Sequence, residues 1–173
     1  MKLLRLNAER MSACGAPRRR DGGFTLTELV VTIAIAAILA TLAVPSFNNI
    51  IATEHARAAA SEFYTSLITT RSEAIRLDQQ VTMTESAGGW NYGWTTRSIG
   101  NTTLDTHGQM NGVSVQEASG ATTVTYYPYG RLARGLATTP TFVITATTGS
   151  STSTQCVSID PTGTPYMKAG STC

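Results

Sequence analysis

Residues 29–44 constrain this chain more than any other stretch, being sixteen consecutive positions without a charged side chain. They are entered through Gly22-Gly23-Phe24-Thr25-Leu26-Thr27-Glu28. Residues 24–44 offer a predominantly apolar run of 21 with Glu28 as its one ionisable group, and a single bilayer span needs ~20. Ahead of it lie Lys2, Arg5, Arg10, Arg18, Arg19 and Arg20 against Glu9 and Asp21. The bias of Lys and Arg toward the cytoplasmic side then keeps the N-terminus in the cytoplasm and sends whatever follows the span outward. A carboxylate well inside a bilayer costs ~2.5–3.5 kcal/mol on insertion scales, so Glu28 needs a partner. Cleavage between Gly23 and Phe24 would create one, because the new α-amine of Phe24 stands at the depth of Glu28 on its own or a neighbouring chain. The competing reading is an ordinary secretory signal with residues 29–44 as its apolar region and Ala40-Thr41-Leu42-Ala43 as the cleavage site. That reading gives Glu28 no purpose.

Gly23, Phe24, Thr25, Leu26, Glu28 and Pro45 together resemble the N-terminal signature of the type IV pilins, a family that includes the pseudopilins of type II secretion. The resemblance implies a leader, residues 1–23, removed by prepilin peptidase between Gly23 and Phe24, with N-methylation of Phe24. It further implies that Glu28 registers the subunit against a neighbour's terminal amine during assembly. Pro45 removes a backbone donor and crowds the preceding turn, so a helix kink is expected there.

Removing the leader changes the charge balance. The full chain of 173 residues carries +2, but seven basic and nine acidic side chains follow residue 23. Cys14 falls in the leader, whereas Cys156 and Cys173 fall in the exported part, where disulfides persist. Their spacing fits neither a metal site nor a Cys-x-x-Cys redox motif, so a structural bridge is expected, with a free thiol as the alternative.

Polar residues thicken after Pro45, and from Glu54 the pattern becomes amphipathic. Ala59, Phe63, Leu67, Thr70, Ala74 and Leu77 recur at helical spacing, while Glu62, Arg71, Glu73 and Arg76 fall elsewhere. One helix over residues 24–77 is therefore expected, ended by Asp78-Gln79-Gln80. Beyond it, Thr-, Val-, Ile- and Tyr-rich runs at 81–84, 94–99, 113–116, 122–127, 142–146 and 156–159 predict antiparallel strands. Gly88-Gly89, Asn111-Gly112 and Ser119-Gly120 read as turns, and 147–154 as an exposed loop or hairpin tip. The fold class is α+β: a long N-terminal helix packed on a C-terminal antiparallel sheet. The expected domains are leader (1–23), membrane and filament-core helix (24–53) and periplasmic head (54–173).

Arg71-Ser72-Glu73-Ala74-Ile75-Arg76, Trp90, Gly93-Trp94, Tyr127-Pro128-Tyr129-Gly130-Arg131, Thr141-Phe142 and Ile159-Asp160-Pro161-Thr162-Gly163 are similar to the FimT/GspH branch of the pilins. Some FimT-type pilins bind DNA through a Gly-Arg-x-Arg element. Here Gly163 is followed by Thr164 and Tyr166 at the arginine positions, and Lys168 is the one cation nearby. Arg131, Arg134 and Lys168 are thus the candidate DNA contacts, too few for a strong phosphate-binding surface.

No nucleophile elbow, zinc-protease helix or phosphate-binding loop appears, and neither a cofactor nor a metal is implied. His55 and His107 read as surface histidines, the latter in a Gly/Asn-rich loop. Trp90 and Trp94 read as packing rather than a sugar platform, and so do Tyr126, Tyr127 and Tyr129. The sequence therefore points to a non-enzymatic minor pilin or pseudopilin built into a type IV pilus or secretion pseudopilus near its tip. Its partners would be prepilin peptidase, other pilins and the inner-membrane assembly platform. A DNA-binding minor pilin acting in DNA uptake is the alternative.

Overall fold

The structure, a computed structural model, describes residues 23–133 and 139–173. The leader's basic cluster and Cys14 lie outside the described residues, as does Arg134. The chain divides into two compact units, residues 1–38 and 39–173. A single helix, α1 (Leu26–Leu77), contributes to both and runs without interruption through position 45.

In the first unit, α1 shows its apolar side chains to the surroundings. Val30, Ile33, Ile35 and Ile38 are all more than half exposed. This helix is long and apolar enough to cross a membrane. Its start is locally encoded. Glu28 N–H donates to Thr25 Oγ1 at 3.2 Å, while Glu28 Oε2 accepts from Thr25 N–H and Thr25 Oγ1, both at 2.9 Å. Thr25-Leu26-Thr27-Glu28 is therefore a capping box that satisfies otherwise orphaned helical donors. The far end is a Schellman closure. Asp78 N–H donates to Ile75 O at 3.3 Å and Gln79 N–H to Ala74 O at 3.2 Å, with Asp78 in the left-handed region at φ 51°.

In the second unit, the later turns of α1 carry two four-stranded antiparallel sheets. The first has the order β3-β2-β1-β5, from β1 (Val81–Ser86), β2 (Gly89–Ser98), β3 (Thr103–His107) and β5 (Thr123–Tyr126). The second has the order β4-β6-β7-β8, from β4 (Val113–Glu117), β6 (Thr141–Thr148), β7 (Ser151–Ile159) and β8 (Pro165–Ala169). The head is α+β as expected, but with two sheets rather than one.

Strand alternation sends Phe142, Ile144 and Ala146 of β6 inward, and likewise Val81 and Met83 of β1 and Val124 and Tyr126 of β5. Phe63 of α1 joins the two sheets. Its ring lies 4.9 Å from Trp94 and 5.6 Å from Trp90, both edge to face, and 4.5 Å from Phe142 of the other sheet. Such aromatic pairs contribute ~0.5–1.5 kcal/mol each beyond simple burial. The helical face read from the sequence is the buried one: Ala59, Phe63, Leu67, Thr70 and Ala74 are inaccessible or nearly so.

Two strands were not legible. β3 is a Thr-rich edge strand containing Asp105, and β8 opens on Pro165, which an edge strand tolerates at its first position. The run 147–154 is a hairpin tip only at Gly149-Ser150. The β6–β7 ladder pairs Thr148 with Ser151 and Thr147 with Thr152, because β-branched threonines facing across a ladder support it even in solvent. β2 likewise begins five residues before its expected start, taking in Trp90.

Candidate functional site: the anchor entry and the signature turns

At the entry to α1, Gly23 has nothing within 4 Å of the position a Cβ would occupy, and Phe24 is 83% exposed. Among the described residues, no contact requires glycine at 23 and the aromatic ring at 24 is largely uncovered. Glu28 sits one turn further on, with Oε2 held by Thr25. Sequence reasoning expected the carboxylate to need a cation and missed the local role, although Thr-x-x-Glu ahead of an apolar run is a legible capping signal.

Three of the head motifs, those of Arg71, Tyr127–Arg131 and Asp160–Gly163, meet at one corner. Tyr127 N–H donates to Arg131 O and Gly130 N–H to Tyr127 O, both at 2.8 Å, forming the turn after β5. Arg71 Nε of α1 donates to Gly130 O at 2.9 Å, which fastens this turn to the helix. A second turn, between β7 and β8, packs on the first. A Cβ at Gly163 would stand 2.2 Å from Gly130 O and 3.0 Å from the Cα of Arg131, and Gly163 has φ +92°. Both the conformation and the close approach therefore exclude a side chain. Asp160 organises this second turn by accepting from Thr162 Oγ1, Thr162 N–H at 2.8 Å and Thr164 N–H at 2.9 Å. Those bonds, that from the Thr162 hydroxyl foremost, hold the Asp160 carboxyl below the usual carboxylate range. Arg71, Gly130, Asp160 and Gly163 are thus accounted for by packing between α1, the turn after β5 and the β7–β8 turn.

Of the candidate DNA contacts, Arg131 and Lys168 fall within the described residues. The backbone of Arg131 belongs to the corner just described, and its side chain is exposed. Lys168 lies three residues along β8 from Pro165, on the order of 10 Å at ~3.3 Å per residue. Its Nζ donates to Cys173 O at 2.8 Å and stands 5.5 Å from the Tyr166 ring centre. Cys156 and Cys173 form a disulfide with Cα atoms 5.6 Å apart, which ties the C-terminus across β8 to β7.

Trp90 and Trp94 are buried, so both serve packing. Tyr126 is buried, and desolvation pushes its phenol upward; Tyr127 and Tyr129 stack with centroids 5.6 Å apart, Tyr129 exposed. His107 is not in a loop. It ends β3 opposite Trp94, lies flat on that indole at 4.1 Å, and places Nε2 at 3.3 Å from Glu62 Oε2. Cross-strand register, invisible in the linear sequence, puts it there. His55 is exposed. Among the described residues, no group of three or more His, Cys, Asp or Glu could hold a metal ion.

Comparison with solved structures matches the type IV minor pilin FimU of Pseudomonas aeruginosa (strain PAO1) in two crystal forms. The P21 form gives a TM-score of 0.59 at 20% identity, covering 69% of this chain and 96% of that one. The P65 form gives 0.57 at 22% identity, covering 68% and 98%. At this identity the match establishes the fold. A search of curated proteins found no significant match. Family models match twice: the prokaryotic N-terminal methylation motif over residues 18–44, and the type II transport protein GspH over residues 59–163, more than half of the chain. The chain is a type IV pilin-like protein that belongs to the GspH family.

Proposed function

We infer that this protein is a minor pilin or pseudopilin that enters a type IV pilus or a type II secretion pseudopilus near its tip and aids its assembly. The observation that carries this reading is the exposed, uncharged stretch of α1 that begins at a capped Thr25–Glu28 box directly after an uncrowded Gly23. The chain is held in the inner membrane by residues 24–53, with the leader in the cytoplasm and the head, 54–173, in the periplasm. Prepilin peptidase cuts between Gly23 and Phe24 and methylates Phe24. In the filament, Glu28 meets the terminal amine of a neighbouring subunit through the carboxylate oxygen that the capping box does not use. Pro45 supplies no N–H to the helical ladder, which makes it the point where α1 bends or yields when the assembly platform draws the subunit out.

DNA uptake receives less support, since Lys168 donates to Cys173 O and the residues after 23 carry seven basic against nine acidic side chains. Intact-mass measurement tests the main reading. The wild-type chain is expected to begin at methylated Phe24, and Gly23→Val to accumulate as full-length precursor because a β-branched residue blocks the peptidase's approach. A mature chain beginning near Val44 would instead make the apolar stretch an ordinary signal.

A further inference from the structure

The tip of the β6–β7 hairpin lies against α1. A Cβ on Gly149, whose φ is +59°, would stand 2.8 Å from Asn48 Nδ2, so the turn lies directly on the helix at position 48. Ala52, one turn beyond, is fully buried, whereas Phe47, Ile50 and Ile51 around the same level are exposed. Asn48 follows Val44, the end of the predominantly apolar run, by four residues, or ~6 Å at 1.5 Å per residue. The polar layer of a bilayer adds about 5–7 Å on each side of its ~30 Å hydrocarbon core. The next charged side chain on the helix, Glu54, comes six residues after Asn48.

We propose that the 147–152 tip is a membrane-surface contact that seats in the phospholipid headgroup layer of the bilayer holding α1. The chemistry fits that partner. Thr147, Thr148, Ser150, Ser151 and Thr152 present hydroxyl donors suited to phosphate and ester oxygens, and residues 147–154 contain no carboxylate for anionic lipid to repel. Thr147, Ser150 and Thr152 are exposed. The exposed Phe47 at the same level offers an apolar ring that can be buried at the acyl boundary.

This inference rests on the anchoring role of α1, and the test separates the two. The full-length chain carrying Cys14→Ser is given a Ser150→Cys tip label with an environment-sensitive fluorophore. It is reconstituted in vesicles of phosphatidylethanolamine with a minority of phosphatidylglycerol, containing a headgroup-spin-labelled lipid. The control label is Ala118→Cys. Register pairs Glu117 with Phe142 and Val113 with Ala146, so position 118 lies at the opposite end of β6, ~26 Å from the tip at ~3.3 Å per residue. Quenching at position 150 is expected to exceed that at 118 several-fold and to persist as the protein is diluted in lipid. Equal quenching at the two positions overturns the proposal. Protection of the tip that grows with protein-to-lipid ratio also overturns it, because a second copy then occupies the surface. Failure of the chain to float with the vesicles overturns the anchoring role and the tip contact together, whereas flotation with an unquenched tip overturns the tip contact alone.

Discussion

Glu28 combines two demands in one side chain. The capping box uses Oε2 to close the first turn of α1, and the proposed amine contact uses the charge. Substitution separates them, because Gln retains the box while Leu removes both box and charge. Glu28→Gln and Glu28→Leu are both expected to be cleaved normally, since the position lies on the mature side of the proposed cut, and both to assemble poorly. Filament or pseudopilus recovery measured by immunoblot checks this. Wild-type assembly by Glu28→Gln with failure of Glu28→Leu would show that capping, and not charge, is what assembly needs. Phe63 illustrates the same scale in the core, where truncating a fully buried aromatic costs ~3–5 kcal/mol.

At the scale of elements, the β7–β8 hairpin is held by a turn at one end and a covalent bridge at the other. Asp160 accepts three hydrogen bonds in the folded turn and has a lowered pKa there. A carboxyl depressed on folding adds stability above its unfolded value, ~3.9 for Asp. That contribution is lost as the pH falls through the lower folded value. Asp160→Asn should therefore destabilise the head at neutral pH and flatten the acid limb of its stability profile, as thermal melts between neutral and acid pH would reveal. A parallel acid limb in the variant would assign the turn's stability to packing alone. The Cys156–Cys173 bridge closes a loop of 17 residues. The unfolded-chain entropy model assigns such a loop about 3 kcal/mol. Reduction should lower the melting temperature without abolishing the fold, because Phe63 and its partners do not depend on the bridge. Alkylation of both cysteines in the oxidised native protein would contradict the pairing.

For the whole molecule, charge placement weighs against nucleic acid as a ligand. Arg131, Arg134 and Lys168 are the only Lys or Arg residues after position 97. Even three converging phosphate contacts give a salt slope of only about −0.9 each on duplex DNA. The mature chain in detergent should therefore bind duplex DNA no more tightly than ~10⁻⁶ M at physiological salt, the range of non-specific complexes. Anisotropy titration showing tighter binding, lost in Arg131→Ala with Lys168→Ala, would revive the DNA-uptake reading.

What the sequence determined by itself is what periodicity and local chemistry encode. The uncharged run, the buried face from Ala59 to Ala74, the helix end at Leu77 and most strand cores are written in spacing that neighbours along the chain can read. The cap at Thr25 was written there too, in a motif of four residues. Tertiary structure alone decided the rest. Edge strands β3 and β8 have little burial to impose a pattern, so their threonines, Asp105 and Pro165 looked like loop. The stacking of His107 on Trp94, the packing of Gly163 on Gly130 and the reach of Gly149 to Asn48 each join residues from separate elements. They follow from cross-strand register and close backbone approach, which depend on where whole sheets come to rest and leave no periodic mark in the sequence.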